Sequence, residues 1–246
     1  MAKDSKKPKV ETRRGLSPVG MASFPNLFVA KKINANDAGE EPKFRLTHVY
    51  KVAEFSDTNR KAFNEMVGNV NEVCRLELLK TFTNFSTPDG TQEFTAEGMV
   101  AAFEAKLEEF ADKPLKAHYA AFAELKWWDK KDQILRSCRS PFLLGKNDEY
   151  VDDDAVYVRM SSKADRPPQV VNQSKDPCDE KDIYGGAEVR ASYIAYPYNN
   201  LGNRGVTLYM GNVQLCSAGV RLGGGPSAAD EFDEVPVESP TTDVAF

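Results

Sequence analysis

The chain has 246 residues, 41% of them apolar and 28% charged, with a formal net charge of −5. At about 150 residues per domain this is one domain with an insertion or two small ones, and so ordinary a composition excludes a wholly disordered or fibrous protein. The acidity excludes a uniformly basic nucleic-acid binder, but not a locally basic one.

Residues 1–14 carry six basic and two acidic side chains, net +4, and are expected to form a basic disordered arm. No apolar stretch follows them, so no secretory signal is expected, and no run of 18 apolar residues predicts a membrane helix. Residues 21–31 are apolar but broken by Pro25, which reads as an edge strand or a bulge. Residues 43–52 alternate, with Phe44, Leu46, His48 and Tyr50 on one side and Arg45, Thr47, Val49 and Lys51 on the other, as in a half-buried strand. From Asp57 the period becomes helical. Phe63, Met66, Val70 and Val73 form one stripe, and Val100, Phe103, Leu107 and Phe110 a second, with Thr95 as its cap. Leu115, Tyr119, Phe122 and Leu125 form a third after Pro114. Residues 57–130 are thus predicted to hold about three amphipathic helices whose aromatic side chains belong to the core.

Strand patterns return at residues 155–161, 187–198 and 205–215, the last two joined as a hairpin with a five-residue loop over 199–203. Five short strands with helical material in one long connection fit a mainly β fold with a helical insertion, a five-stranded OB-type Greek-key barrel. A split α+β sheet with a helical cap competes with it. The expected domain runs over residues 15–222. Residues 223–225 are Gly-Gly-Gly before Pro226 and read as a linker. Residues 227–246 hold six acids and no Lys or Arg; without them the chain would carry +1. This tail is expected to be disordered, and it ends on an aromatic, Phe246.

Signatures of catalysis are sparse. The two histidines are His48 and His118, and His48 reads as a satisfied buried imidazole. Cys74, Cys138, Cys178 and Cys216 lack zinc-site spacing and suit reduced cytosolic thiols. Neither a P-loop nor a G-x-S-x-G elbow occurs. Asp152, Asp153 and Asp154 read as a solvated turn or as carboxylates for Mg²⁺. No cofactor and no metal are expected. What remains is basic and aromatic residues interleaved on strands. Tyr157 and Arg159 precede Lys163 and Arg166, Arg190 precedes Tyr196 and Tyr198, and Arg204 precedes Tyr209. Single-stranded nucleic acid needs flat surfaces for unstacked bases and cations for phosphates, and strand alternation presents both in rows. Tyrosines on strands are also common by propensity alone.

The stretch Ile183-Tyr184-Gly185-Gly186-Ala187-Glu188-Val189-Arg190-Ala191-Ser192, followed by Ala195-Tyr196-Pro197-Tyr198-Asn199-Asn200 and Gly202-Asn203-Arg204-Gly205-Val206, resembles the bacteriophage single-stranded-DNA-binding proteins with an OB fold. Met210-Gly211-Asn212-Val213-Gln214, Arg221-Leu222-Gly223-Gly224-Gly225 and Asp230-Glu231-Phe232-Asp233 continue the likeness in order. Ser23-Phe24-Pro25-Asn26-Leu27-Phe28 and Glu41-Pro42-Lys43-Phe44 resemble the family's opening strands. The helical stretch 57–130 carries no such likeness. The resemblance implies a non-enzymatic protein that coats and protects single strands during phage DNA replication and recombination, in the host cytoplasm. It also implies a tail that recruits replication proteins such as a polymerase or helicase-primase, here through Asp230, Glu231, Asp233, Glu234, Asp243 and Phe246. Candidate base-stacking residues are Tyr157, Tyr196, Tyr198 and Tyr209. Candidate phosphate contacts are Arg45, Arg159, Lys163, Arg190 and Arg204. Two other classes compete: a Mg-dependent single-strand nuclease built on Asp152–Asp154, and a replication interaction scaffold without DNA affinity. A homodimer is left open.

Overall fold

A computed structural model describes residues 10–34, 36, 39–144, 155–200 and 203–222. In chain order the first strands are β1 (Arg13–Leu16), β2 (Gly20–Lys31) and β3 (Lys43–Lys51). The helical connection holds α1 (Asp57–Val73), a short hairpin of β4 (Phe85–Ser86) and β5 (Glu93–Phe94), α2 (Ala96–Glu109) and α3 (Pro114–Glu124). A second hairpin, β6 (Lys126–Asp129) with β7 (Ile134–Ser137), leads to β8 (Phe142–Leu144). The chain ends in β9 (Ala155–Lys163), β10 (Val170–Val171), β11 (Glu188–Asn200) and β12 (Asn203–Ser217). The protein is mainly β with a helical insertion, as its patterning predicts.

Five strands organise the sheet. β2 pairs antiparallel with β3 and β3 with β9; β9 pairs parallel with β12, β12 antiparallel with β11, and β11 antiparallel with β2. The pairings therefore return to the strand from which they start. Alternation decides what lies inside. Phe44, Leu46, His48 and Tyr50 of β3 are buried, as are Val156, Val158 and Met160 of β9, Val189, Ala191, Tyr193 and Ala195 of β11, and Val206, Leu208 and Met210 of β12. Burying these side chains is the main force closing the sheet.

The helices cap this core. Ser56 Oγ accepts from Asn59 N at the start of α1, and Thr95 Oγ1 from Gly98 N at the start of α2. Phe63, Met66, Val67, Val70 and Val73 of α1 are buried, as the helical stripe requires. Asn69 Nδ2 donates to the Tyr193 hydroxyl at 2.9 Å, joining α1 to β11. His118 of α3 bridges α1 and the segment before β8: its Nδ1 meets Asn71 Oδ1 at 2.6 Å and its Nε2 meets Ser140 Oγ at 2.6 Å.

Several expectations need correction. The basic arm does not reach residue 14, because Arg13–Leu16 is a strand on β11 and Arg13 reaches Glu72 at 3.4 Å. Residues 1–9 lie outside the described residues. The β11–β12 register runs on to Asn200 and Asn203, so residues 201–202 alone separate the strands where a five-residue loop was expected. Pro25 does mark a bulge, between Ser23 and Asn26, but β2 is no edge strand: it pairs with both β3 and β11. The strands beyond five (β1, β4 to β8 and β10) are two to four residues long, too short to show a period. His48 is only half satisfied. Its Nδ1 bonds the Tyr50 hydroxyl, while its Nε2 has no partner.

Candidate nucleic-acid interface

The outward residues of β2, β3 and β9 meet in cross-strand rows. Met21, Val49, Tyr157 and Leu143 form one row; Ser23, Thr47 and Arg159 the next; Asn26, Arg45 and Ser161 a third; Lys31, Lys43 and Lys163 a fourth. The third row continues through Tyr209 of β12 to Ile194 of β11. Tyr196, two residues along β11, meets Tyr209 edge to face, with ring centroids 5.4 Å apart and planes at 61°. Rings and cations from five strands thus lie on the outer surface, and Tyr157, Arg159, Lys163, Tyr196 and Tyr209 are brought together there.

The fourth row carries most weight. Like charges directly opposite on neighbouring strands repel, and here three lysines stand in line. Among the described residues, none of the three makes an ion pair. Such a row is unfavourable by itself and favourable against a polyanion. Lys31 and Lys43 were missed in the sequence. Lys43 shares the parity of Arg45 and was legible; Lys31 is aligned only by the register of β2 after its bulge.

Arg45 is on this face but engaged. Its guanidinium pairs with Glu40 at 2.6 Å and also bonds the Lys31 carbonyl oxygen. Glu40 accepts in addition from Ile33 N and Asn34 N at 2.9 Å. These backbone donors, with the arginine, hold its carboxyl below the usual range. Arg45 therefore pins the β2–β3 connection more than it offers free charge.

Two predicted residues lie apart, and a third continues the Tyr196 side of β11. Arg190 stands at the other end of β11, where its Nε donates to Gln214 Oε1 at 2.9 Å. At about 3.3 Å per residue it is some 20 Å along the strand from Tyr196. Arg204 stacks between Phe82 and Trp127, 5.5 and 5.4 Å from their ring centres. Tyr198 is half-buried opposite Gly205, and burial raises its phenol pKa. The tail residues Asp230, Glu231, Asp233, Glu234, Asp243 and Phe246 lie outside the described residues, as do Asp152, Asp153 and Asp154.

Phe24 was also missed as a site residue. It occupies the β2 bulge with φ of 46° and is 89% exposed. A bulky residue in the left-handed region is strained, and this one holds a bare ring out beside the Ser23–Thr47–Arg159 row. Its signal is Pro25, which removes a ladder donor and so interrupts the pairing of β2.

Among the described residues no group of three or more His, Cys, Asp or Glu is placed to hold a metal ion. No helix among them is long and apolar enough to cross a membrane. The four cysteines are free thiols, with Cys74 and Cys138 buried.

The family described as the single-stranded-DNA-binding protein of Enterobacter phage Enc34 matches residues 68–242. The chain belongs to this family. The match takes in most of the helical insertion, which carried no resemblance in the sequence, and leaves out the opening strands that did. Among solved structures, the single-stranded-DNA-binding protein gp2.5 of bacteriophage T7 is 16% identical with a TM-score of 0.44, over 93% of this chain and 100% of that one. The protein from bacteriophage Enc34 in complex with single-stranded DNA is 14% identical with a TM-score of 0.44, over 85% of this chain and 88% of that one. Its C-terminal truncation is 12% identical with a TM-score of 0.44, over 86% and 92%. No curated protein matches.

Proposed function

We propose that this chain is a non-enzymatic, sequence-tolerant single-stranded-DNA-binding protein that coats exposed strands in phage DNA replication and recombination, in the host cytoplasm. The observation that carries this reading is the outer face of β3 and β9, where Tyr157, Arg159, Lys163 and Lys43 align in register and lead to Tyr209 and Tyr196. Stacking on such rings is indifferent to sequence, because every base has a π-face, and contributes about 1–3 kcal/mol per base. Membership in a phage single-stranded-DNA-binding family supports it.

The ring of pairings β2–β3–β9–β12–β11 supports a five-stranded barrel of the OB type. In that architecture the second and third strands and the loops at one end take oligonucleotides, and here those strands are β3 and β9. Lys31, Lys43 and Lys163 carry phosphates, Tyr157, Tyr196 and Tyr209 carry bases, and Phe24 adds a ring at the margin. The acidic residues 227–246 recruit replication partners and compete with DNA for the basic face.

A gel shift with a labelled oligonucleotide, with and without Mg²⁺, tests the reading. A stable shift in both conditions is expected. Shortened product with Mg²⁺ would assign a nuclease, and no shift would assign a scaffold. If about four phosphates are neutralised, log K should fall against log salt with a slope of about −3. Duplex DNA, whose bases are stacked inside, should bind much more weakly.

A further inference from the structure

A cleft lies away from the β3–β9 face, between the β6–β7 hairpin and the start of β12. It encloses about 240 Å³ and is lined by Trp127, Ile134, Arg136, Arg139, Asn203 and Arg204 among others. Its three arginines differ in what they touch. Arg136 is neutralised locally, its Nε donating to Asp129 at 2.7 Å and its Nη2 to Asp132. Arg139 and Arg204 make no ion pair among the described residues. Arg204 is half-buried between two aromatic rings. Trp127 is 8% exposed, and its indole N–H has no hydrogen-bond partner.

Sheltering a cation without a counter-ion and burying a donor without an acceptor both cost stability. All the unmatched groups are donors and two are cationic, so the group that would complete them is an anionic acceptor. A planar guanidinium fork suits phosphate in particular.

The cleft is also attached to the tyrosine track. Arg139 N donates to Arg204 O at 2.8 Å and Val206 N to Arg139 O at 3.2 Å, fixing residue 139 against β12. Tyr198, Gly205 and Arg139 thereby stand in one cross-strand row. Tyr198 is two residues from Tyr196 on the same side of β11.

We propose that this cleft takes a phosphate of the same single strand, so that the DNA path leaves the β3–β9 face over Tyr209, Tyr196 and Tyr198 and ends on the helical insertion. The proposal rests on the reading of the chain as a single-stranded-DNA-binding protein. It gives the insertion a direct part in binding and lengthens the site beyond the five strands.

The chain's two tryptophans, Trp127 and Trp128, both lie on β6, so tryptophan fluorescence, excited selectively over tyrosine, reports on this hairpin alone. In full-length protein carrying Trp128→Phe, Trp127 is the sole reporter. An oligonucleotide of about 16 nucleotides, at the upper end of OB-fold site sizes, is titrated while its own anisotropy reports total binding. Trp127 emission should change with the same midpoint as the anisotropy. Arg139 is exposed, so Arg139→Ala should fold normally. It should weaken binding about tenfold, the scale of one charge-assisted hydrogen bond, and lower the salt slope by about 0.7. Unchanged affinity and slope in Arg139→Ala, or silent Trp127 emission while the oligonucleotide binds, would overturn the cleft proposal and leave the DNA-binding reading intact. A change in Trp127 caused by a peptide of residues 227–246 and not by DNA would overturn it in favour of the tail. No binding by the parent protein would instead overturn the reading beneath it.

Discussion

Gly205 and Arg139 approach so closely that a Cβ on residue 205 would lie 2.2 Å from the Arg139 carbonyl oxygen. The contact lets the segment before β8 run between β12 and β9, with Arg139 bridging to Gly205 and Phe142 pairing with Val158. Only glycine leaves room for a neighbouring backbone here. Gly205→Ala should therefore destabilise the protein by about 1–3 kcal/mol, the usual range for overpacking. A urea titration should show a lower midpoint. An unchanged midpoint would mean that the segment yields freely and that the insertion is not fixed at this point.

The lysine row predicts opposite effects on stability and binding. Lys43 stands between Lys31 and Lys163, so Lys43→Ala should relieve repulsion and raise stability by about 0.2–1 kcal/mol. The same change should weaken single-strand binding and reduce the salt slope by about 0.7. Thermal unfolding and anisotropy titrations on one preparation measure both. A variant that is more stable and binds as well as the parent would remove the row from the interface. Arg159→Ala should follow Lys43→Ala in binding, while Arg190→Ala, some distance along β11 and bonded to Gln214, should have the smaller effect.

Tyr196 and Tyr209 meet edge to face and present a shared surface. Tyr209→Ala should cost about 1–3 kcal/mol in single-strand affinity if its ring carries a base, while Tyr209→Phe should cost little, since the hydroxyl is not needed for stacking. Phe24→Ala should weaken binding without loss of stability, because its ring is exposed. If Tyr209→Ala lowers the melting temperature while the folded protein binds normally, the tyrosine pair is structural.

The two buried histidines predict a pH dependence of folding. Burial lowers the pKa of both His48 and His118 from 6.5 to about 3. Between those values the unfolded chain binds more protons than the folded one, so stability falls as pH drops below about 6.5 and is complete above it. At pH 5 each imidazole should cost about 2 kcal/mol relative to neutral pH. Urea midpoints at pH 7.5 and pH 5 measure the loss. Equal midpoints would mean that neither ring is held neutral by the fold.

The acidic tail predicts a salt-dependent competition. Removing residues after Pro226 deletes six carboxylate side chains and should tighten single-strand binding most at low salt, where attraction between tail and basic face is least screened. Deleting Phe246 alone should leave DNA affinity unchanged and reduce partner capture. Unchanged or weaker binding by the tail-less protein would leave partner docking or solubility as its role.

The sequence by itself determined which residues turn inward on β3, β9, β11 and α1, because burial on one face imposes a period of 2 or 3.6 that needs no knowledge of neighbours; on α2 and α3 it found Phe103, Leu115 and Phe122 but not Met99, His118 or Ala121. Phe44 to Tyr50, Val189 to Ala195 and the α1 stripe were legible for that reason, and so was the helical insertion after the second long strand. It also determined which side of β9 bears Tyr157, Arg159 and Lys163. Only the tertiary structure decided which strands adjoin. Register sets Lys31 opposite Lys43, and two irregularities in β2, one at Phe24 and Pro25 and a larger one between Asn26 and Lys31, shift that register by an amount no local pattern records. The same limit explains why Arg190 and Arg204 looked like neighbours of Tyr196 in sequence. Arg190 shares the face of Tyr196 but stands far along the strand, whereas Arg204 falls on the opposite parity and is taken up by Phe82 and Trp127. The Arg139–Gly205 contact joins residues 66 positions apart, and such a contact is specified by packing space, which a linear sequence does not display.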